Sequence, residues 1–165
     1  MKTFPALCLY VVTIMLLVVA PANAQEQGVI KFTNKAFKEV EVTNEKGEKE
    51  YKLVEPATVL PKDEIIYVIN FENTGSQPVS NIKITDPIPN NSVYKKNSAF
   101  GAGTVIEFSV DGGKTYDKPE NLRAKDKTGA EAAAQPEDYT NIRWIYTDTL
   151  QPGQEGTVTF RTIIE

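Results

Sequence analysis

Along most of this chain apolar and polar residues alternate with a period of two, in short runs closed by Gly, Pro, Asn or Asp. That is the pattern of half-buried strands separated by turns. The strongest run covers residues 64–72, where Ile65, Tyr67, Ile69 and Phe71 share one face while Ile66 and Val68 make the other partly apolar. A central strand is expected there. Residues 79–85 place Ile82 and Ile84 inward, and Pro87 and Pro89 close the run, because proline cannot donate to a central ladder. Three more strands are predicted by Ile106, Phe108 and Val110, by Ile142, Trp144 and Tyr146, and by Val158, Phe160, Thr162 and Ile164. Nearer the N-terminus, residues 37–43 and 48–54 alternate around Asn44-Glu45-Lys46-Gly47 and predict a charged hairpin. Its Lys and Glu side chains would discourage edge-to-edge pairing. The expected fold is all-β, an antiparallel sandwich over residues 60–165, with a strand and hairpin extension over 25–59 packed on it.

One stretch breaks the rhythm. Residues 117–139 contain Pro119, Gly129, Pro136 and the run Ala130-Glu131-Ala132-Ala133-Ala134. The alanine-rich run falls short of the roughly 12–15 residues an isolated helix needs. A long loop carrying a small hairpin is expected, and loops of this length are either functional or disordered. Trp144 is read as a core residue of its strand.

The N-terminus changes the composition that matters. Lys2, an apolar run over residues 6–20, and Pro21-Ala22-Asn23-Ala24 form the three parts of a secretory signal peptide, with small residues placed for a cut after Ala24. The expected mature chain, 25–165, loses Cys8 and has no histidine, so its sandwich must be held by core burial alone. Without Lys2, 17 basic residues remain against 22 acidic. That modest acidic excess favours solubility and argues against nucleic acid as a partner. The expected location is periplasmic or extracellular, with membrane contact only through the uncleaved signal.

The lack of His and Cys leaves no Ser-His pair, no thiolate nucleophile and no ordinary zinc or copper site in the mature chain. Gly101-Ala102-Gly103 has no following lysine and is no phosphate loop. Carboxylates remain: Asp86, Asp111, Asp117, Asp126, Asp138 and Asp148 are candidates by chemistry. Each sits beside turn residues, where Asp commonly caps its own backbone. No catalytic residue, cofactor or metal site is expected; a calcium loop would need alternating acids that Asp111 and Asp117 do not provide. The segment Ser109, Asp111, Gly113, Thr115, Tyr116 resembles the Asp-box of sialidases and other β-rich exported proteins. The resemblance implies a hairpin in which the Asp accepts backbone N–H groups, the Gly takes positive φ and the aromatic packs beneath, a structural role and not a catalytic one.

A wider resemblance covers about two-thirds of the chain. Residues 61–75 (PKDEIIYVINFENTG), residues 79–89 (VSNIKITDPIP) and residues 150–160 (LQPGQEGTVTF) are similar, in order, to the phrases of the conserved repeat domain of unknown function numbered eleven. The resemblance implies an immunoglobulin-like sandwich of bacterial exported and cell-surface proteins, with no established catalytic residues. The chain carries one copy of these phrases and ends shortly after its last strand, so a spacer within a long stalk is not expected of it alone. The expected function is a non-catalytic exported structural or interaction module with a protein or glycan partner. Two alternatives follow from particular residues. Residues 28–33, with apolar Val29, Ile30 and Phe32, could donate a strand to a neighbouring molecule and build a polymer by edge pairing. Tyr116 and Tyr139, flanking the long loop, could form a sugar platform.

Overall fold

The computed structural model describes residues 30–165; the expected signal peptide over 1–24 and the first two residues of the 28–33 segment lie outside them. Alternation is expressed as strands β1 (Ile30–Thr43), β2 (Lys49–Val54), β3 (Glu64–Asn73), β4 (Ile82–Pro87), β5 (Ser92–Tyr94), β6 (Phe100–Gly101), β7 (Thr104–Ser109), β8 (Arg123–Lys125), β9 (Glu131–Ala133), β10 (Asn141–Tyr146) and β11 (Glu155–Ile164). The larger sheet has the order β2-β1-β3-β11-β5, with β6 also on β11; the smaller is β4-β10-β7. All of their pairings are antiparallel. The chain is therefore all-β.

The inward faces of the two sheets meet in one apolar core. β3 contributes Ile69 and Phe71, β11 contributes Val158 and Phe160, and β10 contributes Ile142 and Trp144, with Ile82, Ile84 and Phe108 from the strands beside it. Rings join the sheets: Trp144 and Phe160 lie 5.9 Å apart, and Phe71 meets Tyr146 edge-on at 5.4 Å. Sheets packed this way each bury the face the other exposes, an arrangement of β-sandwich type. β11 makes room at Gly156, where a Cβ would stand 2.1 Å from the Phe71 ring. The fully buried side-chain amide of Asn73 is satisfied: its Nδ2 donates to the carbonyls of Gln77 (2.7 Å) and Leu150 (2.9 Å), and its Oδ1 accepts Gly75 N–H. Asn73 thus fastens the β3 exit to the loop entering β11.

Two expectations change in detail. The strand predicted over 79–85 begins as a single bridge from Val79 to Leu150, is interrupted at Asn81 in left-handed conformation (φ 58°), and resumes as β4 through Pro87. Pro87 is tolerated within it because β4 is an edge strand, where a missing N–H need not break a ladder. The N-terminal extension is also more deeply integrated than a hairpin laid on a domain. Residues 30–38 of β1 pair with β3, and only residues 38–43 pair with β2, so the hairpin is an arm on a strand built into the larger sheet.

Candidate functional site

The turn after β7 is built by Ser109 and Asp111. Ser109 is fully buried; its hydroxyl donates to Asp111 Oδ1 (2.7 Å) and accepts the N–H groups of Asp111 and Gly113. Asp111 Oδ1 accepts Lys114 N–H and Thr115 N–H, each at 3.0 Å, and Oδ2 accepts the Thr115 hydroxyl at 2.7 Å. These donors, Thr115 N–H foremost, hold the Asp111 carboxyl far below the usual carboxylate range. Gly112 and Gly113 take φ of 76° and 83°, a region open to glycine at little cost. A Cβ on Gly113 would meet the Tyr116 hydroxyl at 2.9 Å. Tyr116 itself is half-buried, with the Arg143 guanidinium 4.1 Å over its ring, and Arg143 is ion-paired to Glu107. All five residues of the sequence motif are thus brought into one turn. Tyr116 is engaged by the side of the smaller sheet and does not stand as an open platform.

From Asp117 the chain makes the loop that the alternation could not resolve. Phe108 and Asp117 exchange backbone hydrogen bonds, then a 3₁₀ turn (Pro119–Asn121) leads into the ribbon β8–β9 and a second 3₁₀ turn (Pro136–Asp138) returns to β10. The small hairpin closes on Asp126, whose Oδ1 accepts N–H from Thr128 and Ala130. Asp117 accepts from Asn121 Nδ2 and Lys118 N–H, and Asp138 accepts Gln135 N–H. Buried Leu122 and Ala134 pin the loop to the core.

Beneath this loop is a cavity of about 400 Å³, lined by Tyr94, Ala99, Ile106, Phe108 and Tyr139, with Pro119 and Pro136 beside it. Lys96, Asn97, Glu120 and Gln135 supply its polar lining. Phe108 and Tyr139 stack at 4.5 Å, and Tyr94 meets both rings, at 4.9 Å and 5.9 Å. The Tyr94 hydroxyl accepts Ala99 N–H, which fixes that wall. Burial, with Tyr94, Asp138 and Glu120 nearby, pushes the Tyr139 hydroxyl above its ordinary range. Ligand pockets are typically this size, apolar, and carry a few placed polar groups.

Of the sequence candidates, only Tyr139 reaches this cavity. Asp111, Asp117, Asp126 and Asp138 serve turns. Asp148 lies beside Gly103, and Asp86 is on β4, where burial raises its carboxyl while Asn34 Nδ2 donates to it at 3.0 Å. Among the described residues no group of three or more His, Cys, Asp or Glu is arranged to hold a metal ion. Sequence reasoning missed Tyr94, Ala99 and Phe108 as pocket residues, since alternation marks an inward side chain without saying whether it meets core or cavity. No protein-family model matches the chain, and none of the curated proteins searched matches it.

Proposed function

We propose that this chain is an exported, non-catalytic binding module of the bacterial cell envelope or extracellular space, an immunoglobulin-like sandwich akin to the conserved repeat domain of unknown function numbered eleven. The observation that carries the binding role is the pocket under residues 117–139, where the part of the chain that departs from the strand rhythm and residues 94–108 together line a half-open, aromatic-walled cavity. Four of the six candidate carboxylates spend their oxygens on turn donors, which supports a structural use of those acids. Export is supported by the three-part segment before Gln25. Strand donation by residues 28–33 is the less favoured reading, because residues 30–33 already pair with residues 70–73 of their own chain.

The partner is read first as a protein presenting a side chain to the pocket. A glycan is the second reading, favoured by Tyr139 beside Asn97, Glu120 and Gln135, an aromatic face next to groups that hydrogen-bond hydroxyls. A photo-cross-linking residue at Gln135, introduced into the protein in cells that produce it, is expected to yield one discrete adduct. The same residue at Thr157, exposed on the outer face of the larger sheet, is expected to yield none. Equal labelling from both positions would sink the pocket reading. A protein adduct decides for the first partner class, and protection of Gln135 by a purified oligosaccharide for the second.

A further inference from the structure

The larger sheet has a stepped edge. β2 covers β1 only along residues 38–43, while β3 occupies the other side of β1 along residues 30–38. On the β2 side, residues 30–37 therefore have no pairing strand among the described residues. The cause is local. In continued register Glu55 would face Phe37 and Pro56 would face Ala36, but Pro56 has no N–H to give and β2 stops at Val54. Among the described residues an unpaired edge eight residues long (30–37) is left in line with β2.

This edge is guarded in an uneven way. Lys31 and Lys35 lie exposed on the outer face, and an edge lysine ordinarily discourages pairing. On the inner face Phe32 is 50% exposed. Phe32 borders an open groove of about 320 Å³ with Asn34, Ile69, Lys83, Ile84 and Asp86. Asp86 is the one acid lining this groove, and it is already engaged by Asn34. Glu72 stands opposite Lys31 across the β1–β3 pair, while Lys35 faces Val68 and has no acid opposite it. Two copies of this edge would bring lysines together; a strand with acidic side chains outward and apolar ones inward would meet both faces.

We propose that residues 30–37 of β1 form a docking edge for an extended segment of a protein partner that alternates acidic and apolar residues, added as a sheet strand with its apolar side chains against Phe32 and the groove. Main-chain hydrogen bonds would give affinity, and the lysines and Phe32 the choice of partner. This rests on the reading of the chain as a binding module, but uses a different surface from the pocket.

The test is an amide-resolved NMR titration of the protein with a blocked peptide of about ten residues alternating glutamate and valine, against its lysine–valine counterpart. The acidic peptide is expected to bind with Kd below about 1 mM, shifting amides of residues 30–37 and 83–86. Lys31→Glu with Lys35→Glu is expected to weaken it by about tenfold or more and to reverse the preference between peptides. Phe32→Ser, at an exposed site, is expected to weaken both. Equal binding of the two peptides, or shifts confined to other surfaces, would overturn the proposal. So would slow exchange in the free monomer at those amides of residues 30–37 that point away from β3, which would assign the edge to the chain's own residues before Ile30, or dimers lost on Phe32→Ser, which would assign it to a second copy. A failed titration together with a Gln135 adduct removes the edge alone, whereas loss of the adduct with an intact titration removes the pocket reading.

Discussion

Asp111 places five residues of chain in one turn, and its removal reads out how much the turn matters. An Asn at 111 keeps one oxygen for Lys114 and Thr115 N–H but offers an NH₂ where the Thr115 hydroxyl now donates. Asp111→Asn is therefore expected to lower the melting temperature, and Asp111→Ala to lower it further, while the Gln135 adduct still forms. Loss of the adduct with an unchanged melting temperature would assign Asp111 a role in binding. A harder constraint sits at Gly156. Its missing Cβ is the space in which the Phe71 ring lies, so Gly156→Ala overpacks the core and is expected to cost about 1–3 kcal/mol in denaturant unfolding. A change well inside 0.5 kcal/mol would mean that β11 shifts easily, contrary to its place between β3 and β5.

At the scale of elements, the strands were legible and the loop was not. Ile65 to Phe71 and Val158 to Ile164 alternate so regularly that their inward faces follow from the sequence, and the structure pairs these two segments as β3 and β11. The Ser109–Tyr116 turn was legible as well, because Asp-Gly-Gly leaves the backbone few other conformations. The length of β1 was hidden by Lys31, Thr33 and Lys35, polar positions whose strand character comes from pairing with β3 and not from burial. The pocket was hidden for a different reason: Tyr94, Phe108 and Tyr139 lie on three separated segments, and only the tertiary fold brings their rings together. Residues 117–139 hang on few buried anchors, Leu122 chief among them, which is 6% exposed. Leu122→Ala is expected to cost about 2–5 kcal/mol, and hydrogen exchange should show protection lost first within 117–139. Uniform loss across β3 and β10 would show that the loop is part of the global folding unit.

For the whole molecule, the charged turns set the response to acid. Asp63 (by Lys38), Asp111 (by Thr115), Asp117 (by Asn121) and Asp126 (by Thr128) lie below their ordinary values. Burial pushes Glu64 up, but hydrogen bonds from Lys95 and Arg161 outweigh it and leave it lowered too. Such groups contribute full stability above their unfolded pKa of about 4 and lose it as pH falls from there through their lower folded values. Asp86 works in the opposite sense: raised by burial, it takes up a proton first in the folded state, so falling pH relieves a penalty there. Five lowered groups against one raised predict a melting temperature that drops between about pH 5 and pH 2. Asp86→Asn is expected to raise the neutral-pH value, and a melt insensitive to acid would contradict the hydrogen-bonded turns. Trp144, the sole tryptophan, is 0% exposed between the sheets and reports the fold directly. Its emission should be blue-shifted and resist acrylamide, whereas a water-like, readily quenched spectrum would contradict the packing of one sheet on the other.

That signal also controls the decisive comparison for the binding role. The protein and its Tyr139→Ala variant, each shown folded by Trp144 emission, are used to capture partners from the envelope and extracellular fractions of its own cells, with recovery quantified. The pocket reading predicts a component recovered by the protein and reduced at least about tenfold by Tyr139→Ala. An identical set of components at equal recovery from both would contradict it.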